Sequence, residues 1–328
     1  MSRFLYKYMT LRDDFFANPM IRATPANHLN DPFEGRFNIQ QVRDAIKNHD
    51  DFYLHQGEGI YDDVDDQQIM DSMGNLQSDI DELGIISFTE SYNNTLMWAH
   101  YGNEHKGVVV EFDFNEPFFV ASNHNVGGRT TRFKKDFMGT CFELPEKVDY
   151  RRDFPDFKRP EFSVPDNMND FHWNKFYKAV LFTKSIDWIY EQEQRSVVRL
   201  RDADSIICKE NKHLIAACKA DNNIQVSKVK DDKIQITFPE GYEAHEKMGD
   251  QSIKDEVFFS VNDYYAMYFF KINPSAISAV YFGYKSRFEQ SLSNIKNNIH
   301  LSHLENIFCM KPDENRYQFS AQKIMPSQ

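Results

Sequence analysis

Glu191 and Glu193, in the run Tyr190-Glu191-Gln192-Glu193-Gln194-Arg195, are the side chains of this sequence best spaced to do chemistry together. The surrounding stretch, 187–200, reads as one long β-strand, and on a strand residues two apart share a face. Glu191, Glu193 and Arg195 then project together, with Tyr190, Gln192 and Gln194 on the opposite side. Two carboxylates held side by side repel one another unless a cation, a metal or a substrate sits between them, and Arg195 can be that cation. On an open surface the trio amounts to a ladder of ion pairs of small individual worth. In a cleft, one carboxylate would hold a hydroxyl-bearing substrate while the other polarises a nucleophile.

Three further groups stand out. Ser87 and Thr89 share a face of the strand 83–90. A short helix at 93–102, ended by Gly102, carries Met97, Trp98, His100 and Tyr101, of which Met97 and Trp98 are packing residues first. The run Asn30-Asp31-Pro32-Phe33-Glu34 is turn chemistry, a rigid corner with Phe33 turned into the core. Metal sites are poorly supported: His100 and His105 do not share a helix face, and His300 and His303 lack a third ligand nearby. Phosphate-loop, dinucleotide-fold and hydrolase-elbow glycine motifs are missing from the sequence. Glu111 and Asp113 share a strand face, however, so with Asp31, Glu34 and the Glu pair a metal-assisted phosphodiesterase or nuclease stays open.

The secondary structure that carries these residues is legible in outline. Strands are expected at 4–10, 83–90, 107–114, 187–200 and 277–283, with a hairpin about Asp231-Asp232 and a closing strand pair near 307–319. Trp173, Phe176, Tyr177, Val180 and Leu181 recur at helical spacing. Helices are also expected at 38–49 and 288–297, and 115–167 reads mostly as loop. Few true βαβ units separate the strands, so the fold class is α+β, a mixed or largely antiparallel sheet with flanking helices. The expected organisation is a single domain over 1–328, with an acidic helical insertion near 50–82.

Composition bounds the rest. With 41% apolar and 15% aromatic residues the chain has material for a large core. It carries 38 basic against 50 acidic residues, a net charge of −12. No Lys/Arg tract supplies the basic surface that binding along nucleic-acid phosphates requires, so nucleic acid is not the expected partner. Cys141, Cys208, Cys218 and Cys309 are scattered, as in a reducing compartment. No run approaches the roughly 20 apolar residues of a membrane span, and the N-terminus lacks the apolar core of a secretion signal. A cytoplasmic, soluble protein is expected.

With these residues in view, the chain resembles a bacterial protein family of unknown function. The resemblance rests on Leu5 to Tyr8, Asn30 to Glu34, Met97 to Tyr101 running into Lys106 to Asp113, the set Lys184, Trp188, Tyr190, Glu191, Glu193 and Arg195, and Val280 to Gly283. The order of features is also similar to that of ADP-ribosyltransferases: a polar residue on the first strand, a Ser/Thr strand, then a late Glu-x-Glu strand. That resemblance implies NAD as substrate, with no metal, in a transferase or NAD glycohydrolase. It implies Glu193 and Glu191 as catalytic, and Lys7, Tyr8, Ser87, Thr89, Trp98, Tyr101 and Arg195 as the residues that meet the dinucleotide. The sequence departs from the pattern in having Lys7 where Arg or His is usual and Phe88 in the middle of the Ser/Thr strand. The contrasting reading is a non-catalytic sensor or interaction module whose aromatic clusters are core.

Overall fold

The computed structural model describes residues 4–12, 14–41, 43, 66–120, 124–126, 129–131, 142–157, 159, 162–164, 167–171, 173–242 and 252–324. Its centre is a sheet that begins with β1 (Phe4–Met9), β2 (Met20–Pro25), β3 (Leu83–Thr89) and β4 (Val108–Asp113). In β4, Val108, Val109 and Val110 are completely buried, which is what a β-branched run achieves in the middle of a sheet covered on both faces. β4 lies antiparallel between β1 and the strand Ile277–Phe282. Beyond that strand come Ile307–Pro312, the one parallel neighbour in this sheet among the described residues, and Phe319–Lys323. On the other side β2 leads to Met267–Lys271, Ser205–Lys209, Lys233–Thr237 and Gln225–Lys228. The 107–114, 187–200 and 277–283 regions thus share one mixed, mostly antiparallel sheet, with helices on its flanks, an α+β architecture.

β3 is the strand that organises the site. Glu193–Arg199 pairs along its whole length, from Glu193 opposite Thr89 to Arg199 opposite Leu83. Its other edge is shared: Tyr6 of β1 pairs with Thr89, while Thr24 and Pro25 of β2 pair with Ile85 and Gly84. Between those two contacts β1 and β2 diverge and the sheet forks.

The helix Trp173–Leu181 forms where the apolar spacing places it. Phe176, Tyr177, Val180 and Leu181 are buried against Leu76 and Ile80 of the helix Asp66–Asp81 and against Ile85 and Val197 of the sheet. Most of the helix expected over 38–49, and the acidic stretch up to residue 65, lie outside the described residues. The hairpin turns at Asp231 and Asp232, both at positive φ (60° and 55°), the left-handed conformation that Asp tolerates better than most residues.

Three expectations need correction. The 187–200 segment is not one strand: Ile186–Glu191 is a 3-10 helix and only Glu193–Arg199 is extended. The described part of 115–167 is not mostly loop, because Phe142–Lys147 adds to the sheet beside Glu193–Arg199, and Asp149–Arg151 pairs in parallel with Thr183–Ser185. Phe33 is not plugged into the core. It is 61% exposed, while Asp31 and Glu34 are the buried residues of the corner. The pull that reverses this corner is electrostatic, as the site makes clear.

Candidate functional site

Where β1 leaves β3, the carbonyls on that edge of β3 need partners from outside the ladder. Lys7 supplies one: its Nζ donates to the Ser87 oxygen at 2.9 Å. The fork opens into a cavity of about 210 Å³ lined by Tyr6, Lys7 and Tyr8 of β1, Thr24 of β2, Ser87, Phe88 and Thr89 of β3, and Glu191, Glu193 and Arg195. Met97, Tyr101, Lys184, Glu34 and the 28–30 segment complete the wall.

Glu191 and Glu193 reach this cavity by a route that a strand would not give. Gln192, between them, is in the left-handed conformation (φ 47°), which ends the 3-10 helix and starts the strand. Thr89 Oγ1 donates to the Glu191 carbonyl at 2.6 Å and the Tyr150 hydroxyl accepts from the Glu193 amide at 2.8 Å, pinning both sides of the reversal. The two carboxylates then converge on Lys184, whose Nζ is 2.6 Å from Glu191, 3.0 Å from Glu193 and 3.2 Å from Glu34. Arg195 closes the network from behind. Its Nε is 2.8 Å from Glu193, its Nη1 donates to the Leu181 carbonyl at 2.6 Å, and its Nη2 binds Glu34. All five side chains are buried. Placing Glu34 between two cations is what draws it inward and leaves Phe33 outside.

Burial alone would raise the Glu193 pKa, but Arg195 and then Lys184 overcome it and hold this carboxyl far below its ordinary range. Glu34 moves the other way. Burial raises it, with Arg195 opposing and Glu193 adding repulsion. Lys184 stays charged despite its burial because Glu193 and Glu34 surround it. Burial pushes the Lys7 ammonium down to about 8, with Glu193 resisting and Arg22 adding to the shift. The cavity thus sets an ionised carboxylate beside a lysine that titrates just above neutral pH. It can stabilise a cationic centre at the carboxylates and bind an anionic or carbonyl oxygen at the lysine.

Tyr101 is delivered by the helix Thr95–His100. Asn94 caps that helix by accepting from the Leu96 and Met97 amides, and the same side chain donates to the Tyr190 carbonyl at 2.7 Å. Its backbone amide donates to the Tyr8 hydroxyl at 3.1 Å. One residue therefore fixes the helix, the 3-10 turn and β1 relative to each other. Tyr101 then donates to Glu191 at 2.6 Å; burial first, and this bond next, raise its pKa.

Of the residues singled out from the sequence, Lys7, Tyr8, Ser87, Thr89, Tyr101, Glu191, Glu193 and Arg195 all line this cavity. Trp98 does not. It is 1% exposed, packs edge-on against Tyr8 at 5.2 Å, and donates to the Tyr92 carbonyl. A side chain at Gly102 would strike its ring, so the turn that follows the helix is shaped by it. Trp188 is half-buried, with Lys184 Nζ 5.0 Å from its ring. Lys184, named only in the family resemblance, and Glu34, given a role only as a metal ligand, also line the cavity. Counting charge over Lys184, Glu191, Glu193 and Arg195 would have found the first, since two carboxylates destined for burial call for more than one cation.

Of the acids considered for a metal, Glu34, Glu191 and Glu193 converge on the Lys184 ammonium, and others are engaged elsewhere. Asp31 accepts from the Phe33 and Ser185 amides, and Glu111 from the Ser278 and Tyr281 hydroxyls. Among the described residues no three His, Cys, Asp or Glu side chains are grouped to hold a metal ion, and no helix is long and apolar enough to cross a membrane.

The helix that carries Tyr101 and the strand that carries Glu193 and Arg195 bound a contiguous stretch of chain. Residues 97–196 match the model of a family described as Protein of unknown function (DUF2971). The DUF2971 match contains Tyr101, Lys184, Glu191, Glu193 and Arg195, and leaves Lys7, Tyr8, Glu34, Ser87 and Thr89 outside it. No curated protein and no solved structure matches the chain.

Proposed function

We propose that the forked-sheet cavity binds NAD and breaks its nicotinamide–ribose bond, passing ADP-ribose to water or to an acceptor hydroxyl. The observation that carries this reading is the meeting of Lys7, Ser87 and Glu193, from three different strands, with Tyr101 around one cavity. As the C1′–N bond breaks, its electron pair leaves with nicotinamide, which departs neutral, and the ribose becomes oxocarbenium-like. A carboxylate locked in its ionised form is the group that this cation needs, and Glu193 is so held. Fixed charges in a buried site act without reorganising and are worth several kcal/mol per group, typically about 3. The incoming hydroxyl forms the new C1′–O bond and yields its proton to Glu191, which Tyr101 and Lys184 hold in place. Lys7 is the donor for the carboxamide and phosphates, and Tyr8 and Tyr101 are the aromatic surface for the nicotinamide ring.

A second reading is favoured by a different observation. Glu191 and Glu193 are already bonded to Lys184, Arg195 and Tyr101, the satisfied network of a non-catalytic ligand sensor. One assay separates the two: nicotinamide release from NAD by the pure chain, with and without a chelator. Chelator-insensitive release, lost in Glu193→Gln and reduced in Tyr101→Phe while both variants keep the native circular dichroism spectrum, supports the enzyme. Saturable NAD binding with no release supports the sensor. Neither binding nor release rejects the nucleotide reading altogether.

A further inference from the structure

A second cavity, of about 170 Å³, lies against the site and shares Lys184 with it. Two short segments form the partition. In the Asn30–Glu34 corner, Glu34 faces the first cavity and Phe33 the second, together with Arg36. In the Thr183–Ser185 strand, Lys184 touches both while Thr183 and Ser185 face the second. The Arg151-to-Pro155 segment also lines it.

The chemistry of this groove differs from that of the rest of the chain. It gathers Arg36, Arg151 and Arg152 against a single acid, Asp153, in a protein whose net charge is −12. Arg151 is engaged by Asp149 at 2.5 Å. Arg36 and Arg152 are exposed and make no ion pair with any described residue. Beside them Phe33 and Phe154 are 61% and 49% exposed, their rings 6.5 Å apart and near perpendicular. Other phenylalanines nearby, Phe157, Phe162 and Phe176, are buried, so this pair is out of keeping with its surroundings.

Guanidinium groups with free donors match phosphate oxygens in a planar, two-bond geometry. Exposed aromatic faces next to them suit a planar ring, since every nucleobase has a π-face to stack. The acidic remainder of the chain repels an extended polyanion, which selects a compact ligand. We propose that this groove binds a nucleoside monophosphate, its phosphate on Arg36 and Arg152 and its base on Phe33 and Phe154. The inference does not depend on NAD cleavage next door. It would place a second nucleotide, as effector or acceptor, one side chain away from the Lys184 network.

Calorimetry on the full chain tests it with three probes: AMP, inorganic phosphate and adenosine. AMP should bind more tightly than either half. Arg36→Gln and Arg152→Gln should each weaken AMP by about tenfold, the loss of one charge-assisted contact, and leave adenosine unchanged. Phe154→Ala should weaken AMP and adenosine and spare phosphate. These positions are exposed, so the variants should fold, and circular dichroism checks that. Absence of AMP binding at millimolar concentration overturns the proposal. So does AMP binding that survives both Arg variants but is lost in Lys7→Met, which would put the nucleotide in the forked-sheet cavity. Nicotinamide release is not a readout here, so failure of the NAD reading and failure of this one are separately visible.

Discussion

Glu191 and Glu193 share one ammonium: Lys184 Nζ lies 2.6 Å from the first carboxylate and 3.0 Å from the second. Repulsion between the two acids is what makes this lysine necessary, and Glu34 on the same Nζ makes Arg195 necessary as well. Each buried charge is tolerated only because its counter-charges are in place.

Removing one member should therefore be severe. Lys184→Met, which keeps the length of the stem, should destabilise the protein by roughly 3–5 kcal/mol, the usual result of breaking a buried pair from one side. Urea denaturation measures it, and a loss under about 1 kcal/mol would mean that water already screens the network. Glu193→Gln looks from sequence like a swap that preserves shape and spares stability. With Lys184 and Arg195 both leaning on that carboxylate, it too should destabilise, so any loss of turnover in that variant must be read with its folding.

Trp98→Ala should cost about 3–5 kcal/mol in chemical denaturation, as expected for a fully buried Trp. Trp188→Ala should cost distinctly less, because that ring is half-buried. Equal losses would contradict the core role of Trp98 and its packing on Tyr8.

How far the sequence reveals this site depends on which force places each residue. Period-two and helical apolar patterns come from burial, and they located β4, Ile277–Phe282 and Trp173–Leu181. The pairing of Ser87 and Thr89 on one face comes from strand geometry and was legible for the same reason. Phe33 and Glu34 exchanged places because an ion network formed by residues some 150 positions further along outweighs the burial of one ring. The Glu-x-Glu pair faces one cavity as a strand would make it do, but the reason is the left-handed Gln192, which no periodicity reports. Phe142–Lys147 lies in a segment of weak apolar alternation, and its pairing with Glu193–Arg199 is set by long-range contact.

Gln192 gives a clean backbone test because its side chain is exposed. Left-handed backbone is disfavoured by about 1–2 kcal/mol for residues with a Cβ and is open to glycine. Gln192→Gly should be neutral or slightly stabilising, whereas Gln192→Val should destabilise, because a β-branched residue fits this conformation worst. The same Val variant should reduce ligand binding in the cavity by turning Glu191 away from Lys184. If Gly and Val behaved alike in thermal denaturation, the turn would not be under conformational constraint.

Lys7 yields a pH signature whose sign can be worked out. Its amine titrates at about 8 in the folded protein against an ordinary 10.5. Below pH 8 both states hold the proton, and the folded state bears the full penalty of a buried ammonium. Between 8 and 10.5 the unfolded chain binds more protons than the folded one, so stability attributable to this group rises with pH across that window. Lys7→Met removes the penalty. Its stability relative to the parent should be most favourable near neutral pH and should shrink as pH climbs towards 10.5, read from urea denaturation at a series of pH values. An anionic ligand in the cavity would hold the proton on Lys7, so binding in the same window should be accompanied by proton uptake. Calorimetry in buffers of different ionisation enthalpy measures that uptake, and Lys7→Met should abolish it. A stability difference that stays constant with pH, together with proton-silent binding, would place the Lys7 ammonium in water and remove it from the site.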